Sequence, residues 1–306
     1  VAQFWAFAND LYTEAQGKRL FPIVGAGVSI GAWLGARAAA HLMKPLGPYS
    51  MMLVAAAMLG VTILITHAAN RRAVARASKE KADEAKKSIS GAGGFRLVAR
   101  DRYLLLIALL VVLVNVVNTG GEFLLGKMVT AEAATVAGAG PEAAAARRTF
   151  IGEFYGDFFS WVNLAGVLLQ MFLVSRLFHY VGVGGALFAL PLIALGGYSS
   201  MCAIPALAII RLVKIMENAT DYSIQNTARQ ALFLPTSREA KYKAKAAIDT
   251  FFWRFGDVLA AGAVFAGTRM KLSLAAFAAF NLALTIVWLA VVAYIGREYS
   301  RRTTST

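Results

Sequence analysis

The chain has 306 residues, 58% of them hydrophobic and 16% charged, against about 45–50% apolar and about 25% charged in an ordinary soluble domain. That composition excludes a soluble globular domain and points to an all-α integral membrane protein with the lipid bilayer as its first partner. The formal charge of +14 would suit nucleic acid, but the basic residues cluster in loops between apolar runs, a pattern of membrane topology, so no nucleic-acid partner is expected. One cysteine, Cys202, excludes an internal disulfide, and His41, His67 and His179 are too scattered for a metal site, so neither metal nor cofactor is indicated.

Residues 1–12, VAQFWAFANDLY, read as the last turns of an apolar helix that begins before Val1. Residues 20–43 form a span of the length that crosses about 30 Å of hydrocarbon. Its Gly27, Gly31 and Gly35 lie four apart on one face, which suits close helix packing. Gly25, Gly27 and Gly31 miss the G-x-G-x-x-G spacing of a phosphate loop, and no strand pattern precedes them. Arg37, near the far end, is placed to snorkel with His41 and Lys44. KPLGP at 44–48 predicts a tight turn, and 49–69 predicts a second span. Residues 70–102 are polar and highly charged, a linker that divides the chain into two halves.

Residues 103–128 form a long apolar span carrying Asn115, Asn118 and Glu122 at spacings of three and four, hence on one face. Such polar groups in lipid must point at protein or at a water-filled cavity. An Ala/Gly-rich loop is expected at 129–149, then a span over 150–175 with Glu153 and Asp157 one turn apart and Gln170 near its end. Arg176 and LFHYVGVGG predict a short turn before a span at 186–200. Pro205 opens the span that holds Arg211 and Lys214 and reaches Tyr222. Thr236 and Glu239 form a T-x-x-E capping box that predicts a helix start, running through Ala246 into the membrane and ending near Gly267. The last span covers 272–295, followed by the basic tail GREYSRRTTST.

Eight spans plus the terminal fragment put 21 of the 31 lysines and arginines in one set of alternate loops. The other set holds six: Lys44, Lys127, Arg147, Arg148, Arg269 and Lys271. The positive-inside rule then places both ends of the chain on the cytoplasmic side of a bacterial inner membrane.

Ionisable residues inside membrane spans are expensive and usually functional. At about 1.5 Å per residue from the span ends, Arg211, Lys214 and Arg254 fall in the middle of the membrane. Arg211 and Lys214 share a helical face with Asn218 and Asp221. Phosphate oxygens bind Lys and Arg best in a low-dielectric site, so these three cations are candidate contacts for an anionic substrate. Asn115 and Asn118 are candidates for a base or ribose, or for interhelical hydrogen bonds. The alternative is that the cations pair with Asp249 or Asp257 and lock helices together. A pair that opens when substrate arrives would make Asp221, Asp249 and Asp257 gating or coupling residues. Glu122, Lys127, Glu153 and Asp157, near the outer ends of their spans, read as an outer gate, a proton-coupling group or a solvated rim. Phe252 and Trp253 either stack on a purine or pack. With no G-x-x-x-x-G-K-[ST], H-E-x-x-H or nucleophile elbow, no enzyme is indicated.

FANDLYTEAQGKRLFP and NATDYSIQNTARQALFLP share an order of residues that pairs Ala8 with Ala219 and Asp10 with Asp221. Two halves repeated in parallel are a plan of transporters, with the substrate site between them. With six spans per half, residues 1–69 are the remainder of an N-terminal bundle (the end of helix four, then helices five and six). Residues 70–102 are the cytoplasmic linker, 103–295 a C-terminal six-helix bundle and 296–306 the tail.

The segments FWAFANDLYT, QGKRLFPIVGAGVSIGAWLG and DYSIQNTARQALFLPTSREAKYKAKAAIDTF resemble the bacterial relatives of the ATP/ADP antiporters of plastids and obligate intracellular bacteria, over nearly the whole chain. The resemblance implies a major facilitator-like, N-terminally incomplete helical bundle that exchanges nucleotides by alternating access. VSRLFHYVG resembles the superfamily's loop between helices eight and nine, but without its acidic and multiple basic residues. Other readings are a carrier of another anionic metabolite, a proton-coupled exporter, or a truncated membrane protein that transports nothing. The oligomeric state is not legible.

Overall fold

The computed structural model describes Trp5, Tyr12 and residues 14–76, 93–140 and 142–304. Among these residues every regular element is a helix, as lipid demands of a chain whose peptide groups must be satisfied within their own segment. They divide into two compact units, one comprising the residues up to Ala26 and from 93 onward, the other residues 27–76.

Helix α1, Glu14–Arg76, contributes to both units. The turn expected at 44–48 is absent, because the backbone stays helical through Pro45, Gly47 and Pro48. Long apolar flanks favour helix on both sides, and prolines are tolerated in membrane helices where local adjustments satisfy the freed carbonyls. Within the second unit Val28, Leu34, Leu53, Leu59, Ile63 and Leu64 are exposed, a surface with the chemistry of lipid tails. Gly27 and Gly31 face open space, so the close packing expected of that stripe is not found at them. The side chains of Arg37, His41 and Lys44 lie outside the described residues, as do Ala8, Asp10 and residues 77–92.

The first unit is built around one helix. After the short α2, Gly94–Arg100, helix α3 covers Arg102–Ala137, its N-terminus capped where Asp101 Oδ1 accepts from the Tyr103 N–H at 2.9 Å. Helix α4 covers Ala143–Ala186, with a π turn at Leu169–Leu173 and a break at Gly182 (φ 71°). Helix α5 is Ala189–Ala203. Helix α6 covers 207–231 with a π turn at Asp221–Gln225, and α7 covers 238–269 with π turns at Ala240–Ala244 and Ile248–Phe252. Helix α8 is Leu274–Thr304. Helices α4, α6, α7 and α8 all pack on α3, and α5 packs on α6 and α8. The core accordingly runs along α3 through Leu104, Ile107, Leu110, Val114, Val117 and Leu124.

Three described helices, α3, α4 and α8, are long and apolar enough to cross a membrane. Helix α5 is apolar but shorter, while α6 and α7 carry the ionisable residues singled out above, which lowers their hydropathy. Several boundaries move from expectation. Helix α3 runs on through AEAATVA to Ala137, since alanine and glutamate are strong helix formers, so little remains of the expected loop at 129–149. Helix α4 continues through Arg176 and turns at Gly182, not before it. The cap of α7 is Ser237, whose Oγ accepts from the Ala240 N–H at 3.3 Å, while the Thr236 hydroxyl donates backward to the Phe233 carbonyl at 2.7 Å. The expected tail is helical to Thr304, because Arg302 there reaches Asp101 with contacts of 2.7 and 3.2 Å.

The start of α1 joins this unit through Gln170, whose Nε2 donates to the Pro22 carbonyl at 3.0 Å. A Cβ on Gly25 would lie 2.5 Å from that Nε2. The glycine that permits close approach is therefore Gly25, two residues before the stripe.

Candidate functional site

At 1.5 Å per residue, Asn118 stands about 24 Å along α3 from Arg102, well inside the bundle. Here α3, α5 and α6 converge on Lys214, whose side chain is fully buried. Its Nζ donates to Asn118 Oδ1 at 2.6 Å and to Glu217 Oε2 at 3.0 Å, and lies 3.4 Å from Glu122 Oε1. Tyr198 on α5 places its hydroxyl 3.3 Å from both Glu217 Oε2 and the Val117 carbonyl. Asn218 Nδ2 donates to Glu122 at 2.9 Å, and Asn281 on α8 donates to the Val117 carbonyl at 3.1 Å.

Two adjacent glycines permit this convergence. A Cβ on Gly121 would lie 2.3 Å from the Tyr198 hydroxyl and 3.1 Å from Lys214 Nζ, and one on Gly120 would lie 2.5 Å from Asn281 Oδ1. Only a helix without side chains at both positions can receive a lysine and a tyrosine on one side and an asparagine on the other.

The two carboxylates around Lys214 differ in their freedom. Glu217 is 4% exposed and held by both Tyr198 and Lys214, whereas Glu122 is 36% exposed. Glu217 Oε1 and Asn218 Oδ1 are buried without a hydrogen-bond partner among the described residues. Glu217, Asn118 and Asp221 line one small cavity with Trp288. Buried unsatisfied polar atoms are rare and mark places where water or a ligand is needed.

The other expected site residues are distributed around this centre. Arg211, one turn before Lys214, forms an ion pair with Asp157 of α4 and lies over the Phe154 ring at 5.5 Å. Asn115 donates to the Trp253 carbonyl and to Asp257 Oδ1, both at 2.7 Å, so it ties α3 to α7. Asp257 also takes Arg254 at 3.0 Å, but Arg254 is 81% exposed and does not join Lys214. Asp249 pairs with Lys245 at 2.6 Å, not with Arg211 or Lys214. Lys127 lies over the rings of Phe123 and Phe277, and Glu153 is exposed on α4. Trp253 is covered by the guanidinium of Arg229 at 4.9 Å, and Phe252 packs with Phe95 and Phe251. Of the expected set, Lys214, Asn118 and Glu122 meet directly, and Asp221 lines one cavity with Asn118.

Sequence reasoning missed Tyr198 and Asn281, and it marks Glu217 only as one of the ionisable residues of the 211–257 stretch, with no role of its own. Glu217 sits three residues after Lys214, a readable pairing distance on a helix. Tyr198 and Asn281 lack any such local signal.

The family model for the TLC ATP/ADP transporter matches residues 148–299, the stretch from α4 to α8 that holds Tyr198, Lys214, Glu217 and Asn281. Over that stretch the chain is similar to the TLC ATP/ADP transporters. It is 23% identical over 292 residues to ADP,ATP carrier protein 1 of Chlamydia pneumoniae, covering 83% of this chain and 54% of that protein. The carrier protein 1 of Chlamydia trachomatis is likewise 23% identical, over 83% of this chain and 53% of its own length. ADP,ATP carrier protein 2 of Chlamydia pneumoniae is 33% identical over 92 residues, 29% of this chain and 17% of that protein. The chain thus spans about half the length of the carrier protein 1 sequences it matches. No solved structure gives a significant match. Relatives of the TLC transporters are named for transport, not for catalysis, which agrees with the lack of any catalytic motif in the sequence.

Proposed function

We propose that this chain works as a secondary transporter that exchanges nucleotides of the ATP/ADP type across a cytoplasmic membrane by alternating access, with both its ends on the cytoplasmic side. The observation that carries the reading is Lys214: a fully buried cation at mid-bundle, shared between a fixed carboxylate and a more accessible one. The names of the relatives supply the substrate class. In this reading residues 103–295 form six spans, with the Lys214 face of α6 turned to the transport path.

The chemistry of such a centre is competition. A phosphate oxygen gains most from a lysine in a low-dielectric site, but Lys214 is already neutralised. Glu217, buried and tied to Tyr198, stays as counterion. Glu122, partly exposed and 3.4 Å from Nζ, is the carboxylate that an arriving phosphate displaces, after which it is held by Asn218 alone. Arg211 and its partner Asp157, both partly exposed, extend the same exchange one turn further along α6. One lysine recognises one anionic group, so the same centre also suits another anionic metabolite.

The test is uptake of labelled ATP into liposomes that carry the protein, with and without ADP inside. Uptake should require internal ADP. Lys214→Gln should abolish it, whereas Glu122→Gln, which removes the competitor, should lower KM for nucleotide and slow the return of the empty form. Wild-type rates in the Lys214→Gln protein would remove Lys214 from the path. Uptake of other anions but not of ATP would leave the centre and replace the substrate.

A further inference from the structure

Beside Lys214, where α3, α5, α6 and α8 meet, a cavity gives the centre of a water molecule about 10 Å³ in which to lie. That is room for one water and for nothing as large as a phosphate group. Val114 and Leu190 belong to the apolar part of its wall, and Asn118, Glu217, Asp221 and Trp288 form the polar part. We infer that this cavity is a binding site for a single water molecule that joins Asp221 to Glu217. The assignment depends on no particular cargo.

Two buried atoms on the wall call for it. Glu217 Oε1 and Trp288 Nε1 have no hydrogen-bond partner among the described residues, and the residues that carry them are 3% and 2% exposed. An ionised carboxylate only accepts and an indole nitrogen only donates, so the group that serves both must donate and accept. Leaving either atom unserved costs the desolvation of a polar group. The other two polar groups have capacity to spare. Asn118 gives its Oδ1 to Lys214 at 2.6 Å, and its Nδ2 donates to no partner among the described residues. The Asp221 carboxylate likewise makes no hydrogen bond or ion pair there, and the charges that act on it are Arg229, Lys214 and Glu217.

A water meets all four demands. It can accept from Trp288 and Asn118 and donate to Glu217 and Asp221, within the two to four partners usual for a buried water. A cation would face the positive end of the indole N–H, and Lys214 already brings its charge to Glu217 at 3.0 Å. An anion would face two carboxylates. The water completes a chain from Lys214 through Glu217 to Asp221, and so links a half-buried carboxylate to one that is 4% exposed. Asp221 then belongs to the lysine centre although no direct hydrogen bond connects it to Lys214, Glu217 or Asn118.

The experiment is nuclear magnetic resonance of the whole chain in detergent micelles with isotope-labelled tryptophan, the Trp288 indole signal being the one lost in Trp288→Phe. The indole proton should show a nuclear Overhauser cross-peak with water although the residue is buried. Val114→Ile adds a methyl to the wall. It should expel the water, abolish that cross-peak and lower Tm by a few degrees, because Glu217 and Trp288 are then left unpaired. Val114→Ala, which leaves the water its room, should keep the cross-peak even as lost packing lowers Tm. A wild type without the cross-peak would overturn the assignment, and so would a higher Tm for Val114→Ile, the result expected when a methyl fills a dry space. A wild-type Tm that rises when sodium replaces choline at constant ionic strength would put a cation in the cavity and overturn the water.

Discussion

Lys214 shows how one side chain sets the character of its surroundings. Burying an ammonium costs several kcal/mol even in a relaxed protein, and the cost is met here by Glu217, Glu122 and Asn118 together. Removing one member of a buried pair strands the other. Lys214→Met should therefore destabilise the protein by about 3–5 kcal/mol, and adding Glu217→Met should recover most of that loss. Unfolding of the single and double variants in detergent measures both. Similar losses in the two variants would show that the pair is not coupled. At this scale the sequence was partly legible. Asn115, Asn118 and Glu122 recur at helical spacing, and Lys214 stands out in an apolar run. Arg254 looked like a third member by depth alone, but depth along a helix does not give direction around it, and its side chain points out of the cluster. Tyr198 and Asn281 come from segments far away in sequence, so only the packing of α5 and α8 on their neighbours brings them in.

Helices are where sequence pattern and structure agree best and where their ends diverge most. The apolar runs located α3, α4 and α8, because twenty or more apolar residues leave little other choice. Their ends were harder to place: alanine-rich polar stretches continue α3 beyond the apolar run, and a bidentate arginine holds the last turns of α8. The π turns in α4, α6 and α7 left no trace in the sequence reading. The one in α4 holds Gln170, which accepts from Thr227 at 3.2 Å and donates to Pro22 at 3.0 Å. It thereby pins three segments with a single amide. Gln170→Ala should cost about 1–3 kcal/mol by leaving the Pro22 carbonyl unpaired. The effect should appear as faster amide hydrogen exchange in residues 14–26, with α8 unchanged. Uniform acceleration across the unit would indicate a general loss of packing instead.

Taken as a whole, the first unit is closed by contacts between residues distant in the chain. Arg302 joins the end of α8 to Asp101 at the start of α3 and lies over the Tyr103 ring at 4.6 Å. The Tyr103 hydroxyl in turn donates to the Leu232 carbonyl at 2.7 Å. Arg302→Gln should lower the Tm of the protein by a few degrees, in line with about 1.5–3 kcal/mol for hydrogen bonds to a charged group. It should leave the Lys214 network intact. An unchanged Tm would mean that this closure adds nothing to stability.

The Lys214 centre also has an electrical side. In the transport reading proposed above, one ammonium between two carboxylates carries, as ionised groups, an excess negative charge at a depth where a membrane potential is still falling. An elementary charge crossing such a field is worth about 2.3 kcal/mol per 100 mV. A movement that carried this centre across the field without cargo would sense voltage, and the charge of whatever it carried would change the sign or size of that response. In that reading the membrane potential is a second input to the same lysine, set by the cell and independent of how much substrate either side supplies.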